Sequence, residues 1–259
     1  MRLPGLGVGA LTARFVSWDG CLNARDLGGL ALADGGATRS GVVYRADNVR
    51  HLTARGWEQL VEHGVRTLVD LRFAIERDEG PAPHGVEVVG ISLFGDHDPL
   101  EAARVDELMR SAPDQVTAVT RFYVDTLETC GDRIAEAVAA VALASDGAVA
   151  VHCFVGKDRT GIVTAFLLEL AGVVREAVVA DYALTEGRVD PLVRSWIEEA
   201  TTPEERDLRE RISSAPAGAM AATLALLDER YGGARRYLAD LGLDGDVVEL
   251  VRRRLRPAA

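Results

Sequence analysis

The chain has 259 residues and a formal net charge of −11, and 48% of it is hydrophobic. That apolar share suffices for a buried core and excludes a largely disordered chain. An isoelectric point near 5.0 argues against a nucleic-acid binder, whose affinity rests on basic surface. The best apolar run, 161–174, is interrupted by Glu169 and is shorter than the ~20 residues a bilayer requires, so no stable membrane insertion is expected.

Residues 1–13 read as a loose leader before a single domain over 14–256. The leader contains GxGxxA at Gly5, Gly7 and Ala10, but a dinucleotide fingerprint needs a preceding strand, for which there is no room. It also lacks the continuous apolar core of a signal peptide, which points to a cytoplasmic chain. RFVSWDG (14–20) reads as a short strand and NARDLGG (23–29) as a polar turn. Residues 30–47 read as two strands around Asp34-Gly35-Gly36, a hairpin signal. Thr53 is placed to cap a helix running to His63, with Gly64 as its stop. VRTLVDLR (65–72) and VEVVGISL (86–93) read as strands, 94–103 as a polar loop, and 104–111, 114–129 and 131–144 as helices. GAVAVHC (147–153) is a continuous apolar run with β-branched residues, as a central strand requires. It feeds through FVGKDRTG into the apolar helix IVTAFLLELAGV, and 175–256 is helix-rich. The order implies one α/β domain, a central sheet of four or five strands flanked by helices, with a helix-rich C-terminal half.

Chemistry concentrates at Val151-His152-Cys153-Phe154-Val155-Gly156-Lys157-Asp158-Arg159-Thr160-Gly161. A cysteine closes a buried strand and an arginine stands in the first turn of the following helix. Between them the backbone N–H groups of Phe154, Val155, Gly156, Lys157 and Asp158 can curl around an anion at the helix N-terminus. Arg159 adds a planar fork for two phosphate oxygens. A free thiol is mostly protonated at neutral pH, whereas a helix N-terminus and nearby cations favour the thiolate. One loop thus combines an anion cradle with a nucleophile, which is what covalent phosphoryl transfer requires. All but one of the 29 basic residues are arginine, and the exception is Lys157. A compact ammonium at that position suits support of the thiolate or the binding of a second phosphate; the competing reading is a solvated lysine at a loop tip.

HCFVGKDRTG resembles the HCx5R[ST]G loop of the cysteine-dependent protein tyrosine phosphatase superfamily. Its GKDRTG ending is similar to that of the bacterial tyrosine phosphatases that also hydrolyse phosphoserine, phosphothreonine and phosphoinositides. NARDLGG, YRAD (44–47), GVRTLVDLR with Glu76 after it, and YGGARRYL extend the resemblance over most of 15–256. The resemblance implies Cys153 as nucleophile, Arg159 as phosphoryl clamp, Thr160 as hydrogen-bond donor to the sulfur, and His152 as a support that orients the loop. It implies Asp158 as the general acid; Asp96 and Asp98, in the polar loop, are the alternatives. It implies no metal or organic cofactor, and Asp96-His97-Asp98 reads as loop polarity rather than a metal cluster. Phosphorylated proteins or phosphoinositides are the implied substrates; the oligomeric state is left open.

Other residues carry plainer readings. Asn23, Arg25 and Asp26 could line the site or simply form a turn. Asp70, Arg72 and Glu76 read as an ion-pair network. Cys21 is a candidate resolving thiol if it comes near Cys153, and Cys130 has no cationic neighbour at motif spacing. The rivals to a protein phosphatase are an inositol-phosphate or lipid phosphatase, a sulfur transferase, and a catalytically inactive phospho-binding module.

Overall fold

The structure, a computed structural model, describes residues 8–77, 82 and 84–258. Among the described residues five strands form one sheet in the order β1-β2-β5-β3-β4: Arg25–Asp26 (β1), Val43–Ala46 (β2), Val65–Asp70 (β3), Glu87–Gly90 (β4) and Ala148–His152 (β5). β1 runs antiparallel to β2, and the other pairings are parallel. β5 is central. Its apolar run packs on both faces, with Ala148 and Ala150 on one side and Val149 and Val151 on the other. On the thin side lies α2 (Ala54–Glu62), with Trp18, Tyr44 and Leu60 in a compact second core.

The thick side carries most of the helices. There α4 (Gln115–Thr129), α5 (Gly131–Leu143), α6 (Asp158–Ala171), α7 (Arg175–Ala183), α10 (Ala217–Tyr231), α11 (Ala234–Asp240) and α12 (Gly245–Leu255) build the main core. α6 is buried around nearly its whole circumference, which explains a sequence too uniformly apolar to show a polar face. α3 (Pro99–Arg110), α8 (Asp190–Glu198) and α9 (Pro203–Ser213) stand at one edge, where Met109, Ala118 and Leu208 form a small satellite core.

Several expectations change. Of the leader read over 1–13, residues 1–7 lie outside those described; Val8–Thr12 is a turn of helix (α1) with Leu11 buried. Residues 14–20 form no strand beyond a single bridge from Phe15 to Arg25, because the chain bends there to bury Trp18 against Tyr44 and His63. The first strand is instead Arg25–Asp26, within the segment read as a turn. Around Asp34-Gly35-Gly36 the turn forms, with positive φ at both glycines, but it closes on one bridge, Ala31 to Ala37, and the sheet strand lies later at Val43–Ala46. α3 starts at Pro99, earlier than the sequence suggests, because Asp98 caps it by accepting from the Leu100 N–H at 2.8 Å.

Thr53 caps α2 as its sequence indicates, its hydroxyl accepting from the Gly56 N–H at 3.1 Å while donating to Asp19 at 2.6 Å. Thr53→Ala removes both bonds at a point remote from the site. It should cost about 1 kcal/mol and lower Tm by about 2–4 °C in a thermal melt, with kcat unchanged.

Candidate active site

β5 ends at His152, Cys153 follows, and α6 begins at Asp158. Cys153 is buried, and the Gly156 N–H donates to its sulfur at 3.3 Å. Gly156 has φ of +72°, and a Cβ there would meet the Ala46 carbonyl oxygen at 2.5 Å, so the turn requires glycine. The loop carbonyls face away from the sulfur and are tied down from beneath. Arg45 Nη2 donates to the Gly156 carbonyl at 2.8 Å, Asn23 Nδ2 donates to the Val155 and Gly156 carbonyls at 3.3 and 3.2 Å, and Phe154's carbonyl accepts from the Asn48 N–H at 3.1 Å. Turning the carbonyls down turns amide donors up, and this is the geometry of an anion cradle.

The floor beneath the loop is a buried charge cluster. Asp181 on α7 accepts from Arg14 at 2.7 Å, Arg25 at 3.3 Å and Arg45 at 2.8 Å. Burial alone would raise the Asp181 pKa, but Arg25, Arg45 and Arg14 outweigh it and hold the carboxyl well below its usual range. Arg25, fully buried and crowded by Arg45, is pulled down to about 9 and stays charged at neutral pH. Of the three residues weighed in the NARD segment, Asn23 and Arg25 join this floor. Asp26 instead ties the following turn, accepting from the Gly28 and Gly41 N–H groups at 2.8 and 2.7 Å.

Arg159 is held from the other side. Its Nη1 donates to Glu76 Oε2 at 2.7 Å, and its guanidinium lies 5.3 and 5.4 Å from the Phe73 and Phe94 ring centroids. Burial opposes its charge, but Cys153, Glu76 and Asp158 together raise its pKa above the ordinary value. Glu76 is itself fixed by the Phe73 N–H at 2.7 Å and by Arg72, which donates to its carbonyl at 3.0 Å and pairs with Asp70 at 2.7 Å. The network read as structural therefore ends on Arg159, the expected phosphoryl clamp.

An apolar cavity of about 530 Å³ opens over Cys153, walled by Phe73, Phe94, Met109, Phe122 and, from α8 and α9, Trp196 and Ile212. Phe154, Val155, Lys157, Asp158 and Arg159 also line it. Asp96 and Asp98 line a separate, adjacent cavity with His97, Glu101 and Arg104. Among the described residues no group of three or more His, Cys, Asp or Glu converges to hold a metal ion.

Several side chains sit differently from their sequence reading. Lys157 is buried, not solvated. Its ammonium donates to the carbonyls of Ile212 and Ser214, the latter at 3.1 Å, and lies 3.3 Å from Asp158 Oδ1. In that pose it fastens the end of α9 to the loop and is not presented to a second phosphate. Thr160 Oγ1 is fully buried and, among the described residues, has no hydrogen-bond partner; the bond expected to the sulfur is made by Gly156 instead. His152 does not line the cavity. Its Nδ1 lies 3.4 Å from the Cys153 carbonyl and its Nε2 lies 3.8 Å from Asp70, a bracing position. Cys21 donates to Asp47 at 2.6 Å, and burial followed by that carboxylate pushes its thiol well above the ordinary range. Cys130 lines the adjacent cavity.

Sequence reasoning missed Arg45, Tyr123 and Tyr182. An arginine in the buried strand VVYRAD is a visible signal, since a charge there demands a partner. Tyr123 and Tyr182 lie in ordinary amphipathic helices and carry no local signal.

The floor yields a pH prediction. A carboxyl with a depressed pKa in the folded state stabilises it above the unfolded value near 4, and that contribution fades as pH falls below. Asp181→Asn should lower stability at neutral pH by about 3–5 kcal/mol, since it strands buried arginines. Calorimetry from neutral pH down to about 3 should show the wild-type Tm converging on that of the variant.

A model of the tyrosine phosphatase family matches residues 16–257. The chain is 30% identical over 224 residues to a tyrosine-protein phosphatase of Nostoc commune, covering 83% of this chain and 74% of that one. It is 26% identical over 268 residues to the triple specificity protein phosphatase PtpB of Mycobacterium tuberculosis, covering 90% and 96% of the two. Together with the buried cysteine loop and Arg159 beside it, these likenesses show that the chain belongs to the tyrosine phosphatase family and is a cysteine-dependent phosphatase.

Proposed function

We propose that the chain hydrolyses phosphomonoesters in two steps through a phosphocysteine, with phosphotyrosine its preferred substrate and the tyrosine phenol its leaving group. The observation that carries the reading is the loop itself: a sulfur facing an amide donor, with the Arg159 fork anchored on Glu76 beside it. In the first step the Cys153 thiolate attacks phosphorus. The S–P bond forms as the ester P–O bond breaks, and Asp158 gives its proton to the departing oxygen. The amide cradle and Arg159 hold the equatorial oxygens, where charge concentrates. In the second step water attacks the phosphocysteine, Asp158 takes the proton back, and phosphate leaves with the thiolate restored.

Asp158 is favoured as the acid because it lines the cavity over Cys153, whereas Asp98 is committed to capping α3 and shares the adjacent cavity with Asp96. The aromatic walls favour an aryl leaving group, which would bury its ring there, over the small, polar serine side chain. The engagement of Lys157 with the end of α9 argues against its holding the second phosphate of a phosphoinositide.

Cys153→Ser should abolish turnover while keeping phosphate affinity, since the cradle survives and the alcohol does not ionise. Arg159→Lys should lose about 10²-fold or more in kcat, because a point charge cannot replace the fork. Initial rates on phosphotyrosine, phosphoserine and phosphoinositide substrates check both variants and the preference. Turnover in Cys153→Ser, or wild-type rates in Arg159→Lys, would remove the mechanism, and an equal preference across the panel would remove the aryl reading.

A further inference from the structure

Asp158 opens α6, and two groups, one on α4 and one at the helix's own N-cap, approach one of its oxygens. The Tyr123 hydroxyl donates to Asp158 Oδ1 at 2.9 Å, and the Lys157 ammonium lies 3.3 Å from the same atom. The Tyr123 hydroxyl is also 2.7 Å from that of Tyr182. A phenol carries one proton. If Tyr123 gives its proton to the carboxylate, the second contact must run from Tyr182 to Tyr123, so the chain has a single direction.

Both rings are buried, at 0% and 1% exposure, and meet edge to face with centroids 6.0 Å apart. Burial, and after it the charge of Asp158, push both phenols well above their ordinary range, so both stay protonated donors. The three residues come from α4, α6 and α7 and meet only in the folded chain. Gly161 leaves room for the arrangement, since a Cβ there would touch the Tyr182 ring at 3.0 Å. A phenylalanine would fill the Tyr123 site equally well, so packing does not account for the hydroxyl.

We propose that Tyr123, backed by Tyr182, is a positioning residue that fixes Asp158 through Oδ1 and leaves Oδ2 to exchange the proton with the leaving group. The inference rests on Asp158 being the general acid. The proton moves from Oδ2 to the ester oxygen, and Tyr123 keeps its own. Its hydrogen bond strengthens as the carboxylate develops, so it contributes more to the transition state than to the bound substrate.

The test compares Tyr123→Phe, Tyr182→Phe and Asp158→Asn on an activated aryl phosphate and on a phosphoserine peptide. A low-pKa phenol departs unaided, whereas an alkyl alcohol needs the proton. Tyr123→Phe is expected to lower kcat on phosphoserine about 10-fold, and on the aryl phosphate less than about 3-fold, with KM unchanged. Tyr182→Phe should shift the same ratio by less. The basic limb of the kcat profile should move to higher pH in Tyr123→Phe, because a donor that stabilised the carboxylate is gone. Lys157 and Arg159 beside Asp158, and Arg45 and Glu186 near Tyr182, all remain in place, so the movement reports the hydroxyl. Melting curves for each variant confirm folding. If Asp158→Asn is selective for phosphoserine but Tyr123→Phe slows both substrates equally or neither, the positioning role is wrong. If Asp158→Asn is itself unselective, the acid lies elsewhere and this inference falls with it.

Discussion

A buried guanidinium that spans a carboxylate and a loop carbonyl sets the shape of the whole site. Arg45, on β2, gives one nitrogen to Asp181 at 2.8 Å and another to the Gly156 carbonyl at 2.8 Å. The first contact makes the buried charge tolerable. The second turns the Gly156 carbonyl down and with it the Lys157 amide up, while Asn23 holds the Val155 carbonyl at 3.3 Å, whose peptide carries the Gly156 N–H that meets the Cys153 sulfur. β2 can do this because it lies directly beside β5, with Ala46 opposite His152. Strand alternation then puts Arg45 on the same face as Val43, Val149 and Val151, under the loop and facing α7. With three arginines around one aspartate, positive charge remains under the loop proposed to bind a phosphate dianion.

The loop is braced on three sides. Beneath lie Arg45, Asn23 and Asp181. On one flank Glu76 holds Arg159 in a fixed plane, backed through Arg72 by Asp70 and Asn48. On the other, Lys157 clasps the last carbonyls of α9, bringing α8 and α9 up as a wall of the cavity. The lone lysine of the chain thus joins the catalytic loop to the element that shields it. An ammonium suits this better than a guanidinium, since it offers three donors from a compact head to carbonyls and a carboxylate at one point. The walls of the cavity over Cys153 are largely apolar, a setting in which hydrogen bonds to a bound phosphoryl group would be strengthened.

The candidate nucleophile and clamp were legible because HCFVGKDRTG is contiguous, with strand end, turn and helix start in one stretch. The sheet-and-helix class, the α2 cap and the extents of α4, α5 and β5 were likewise written in local patterns. What was hidden depends on packing between remote segments. Arg25 reads as part of a polar turn until β1 pairs with β2 and carries it under the loop. Glu76 reads as one member of a structural ion-pair network until the turn after β3 brings it to Arg159. Lys157 reads as support for the thiolate or as a site for a second phosphate because nothing in 152–161 reveals that α9 ends against it. Tyr123 is one more apolar position in α4, and its hydroxyl acquires meaning only where α6 and α7 converge. The expected strand over 14–20 failed for the same kind of reason, since burial of Trp18 in the second core decided the path of the chain.

The claim at the centre is that the floor shapes the cradle, so binding of vanadate to Arg45→Gln measures it most directly. Titration calorimetry against the wild type, with melting curves on both, separates cradle geometry from global folding. The account predicts a folded variant whose vanadate affinity falls by about 10-fold or more, the scale of one lost charge-assisted contact beneath the loop. A folded Arg45→Gln that binds vanadate as tightly as the wild type would contradict it.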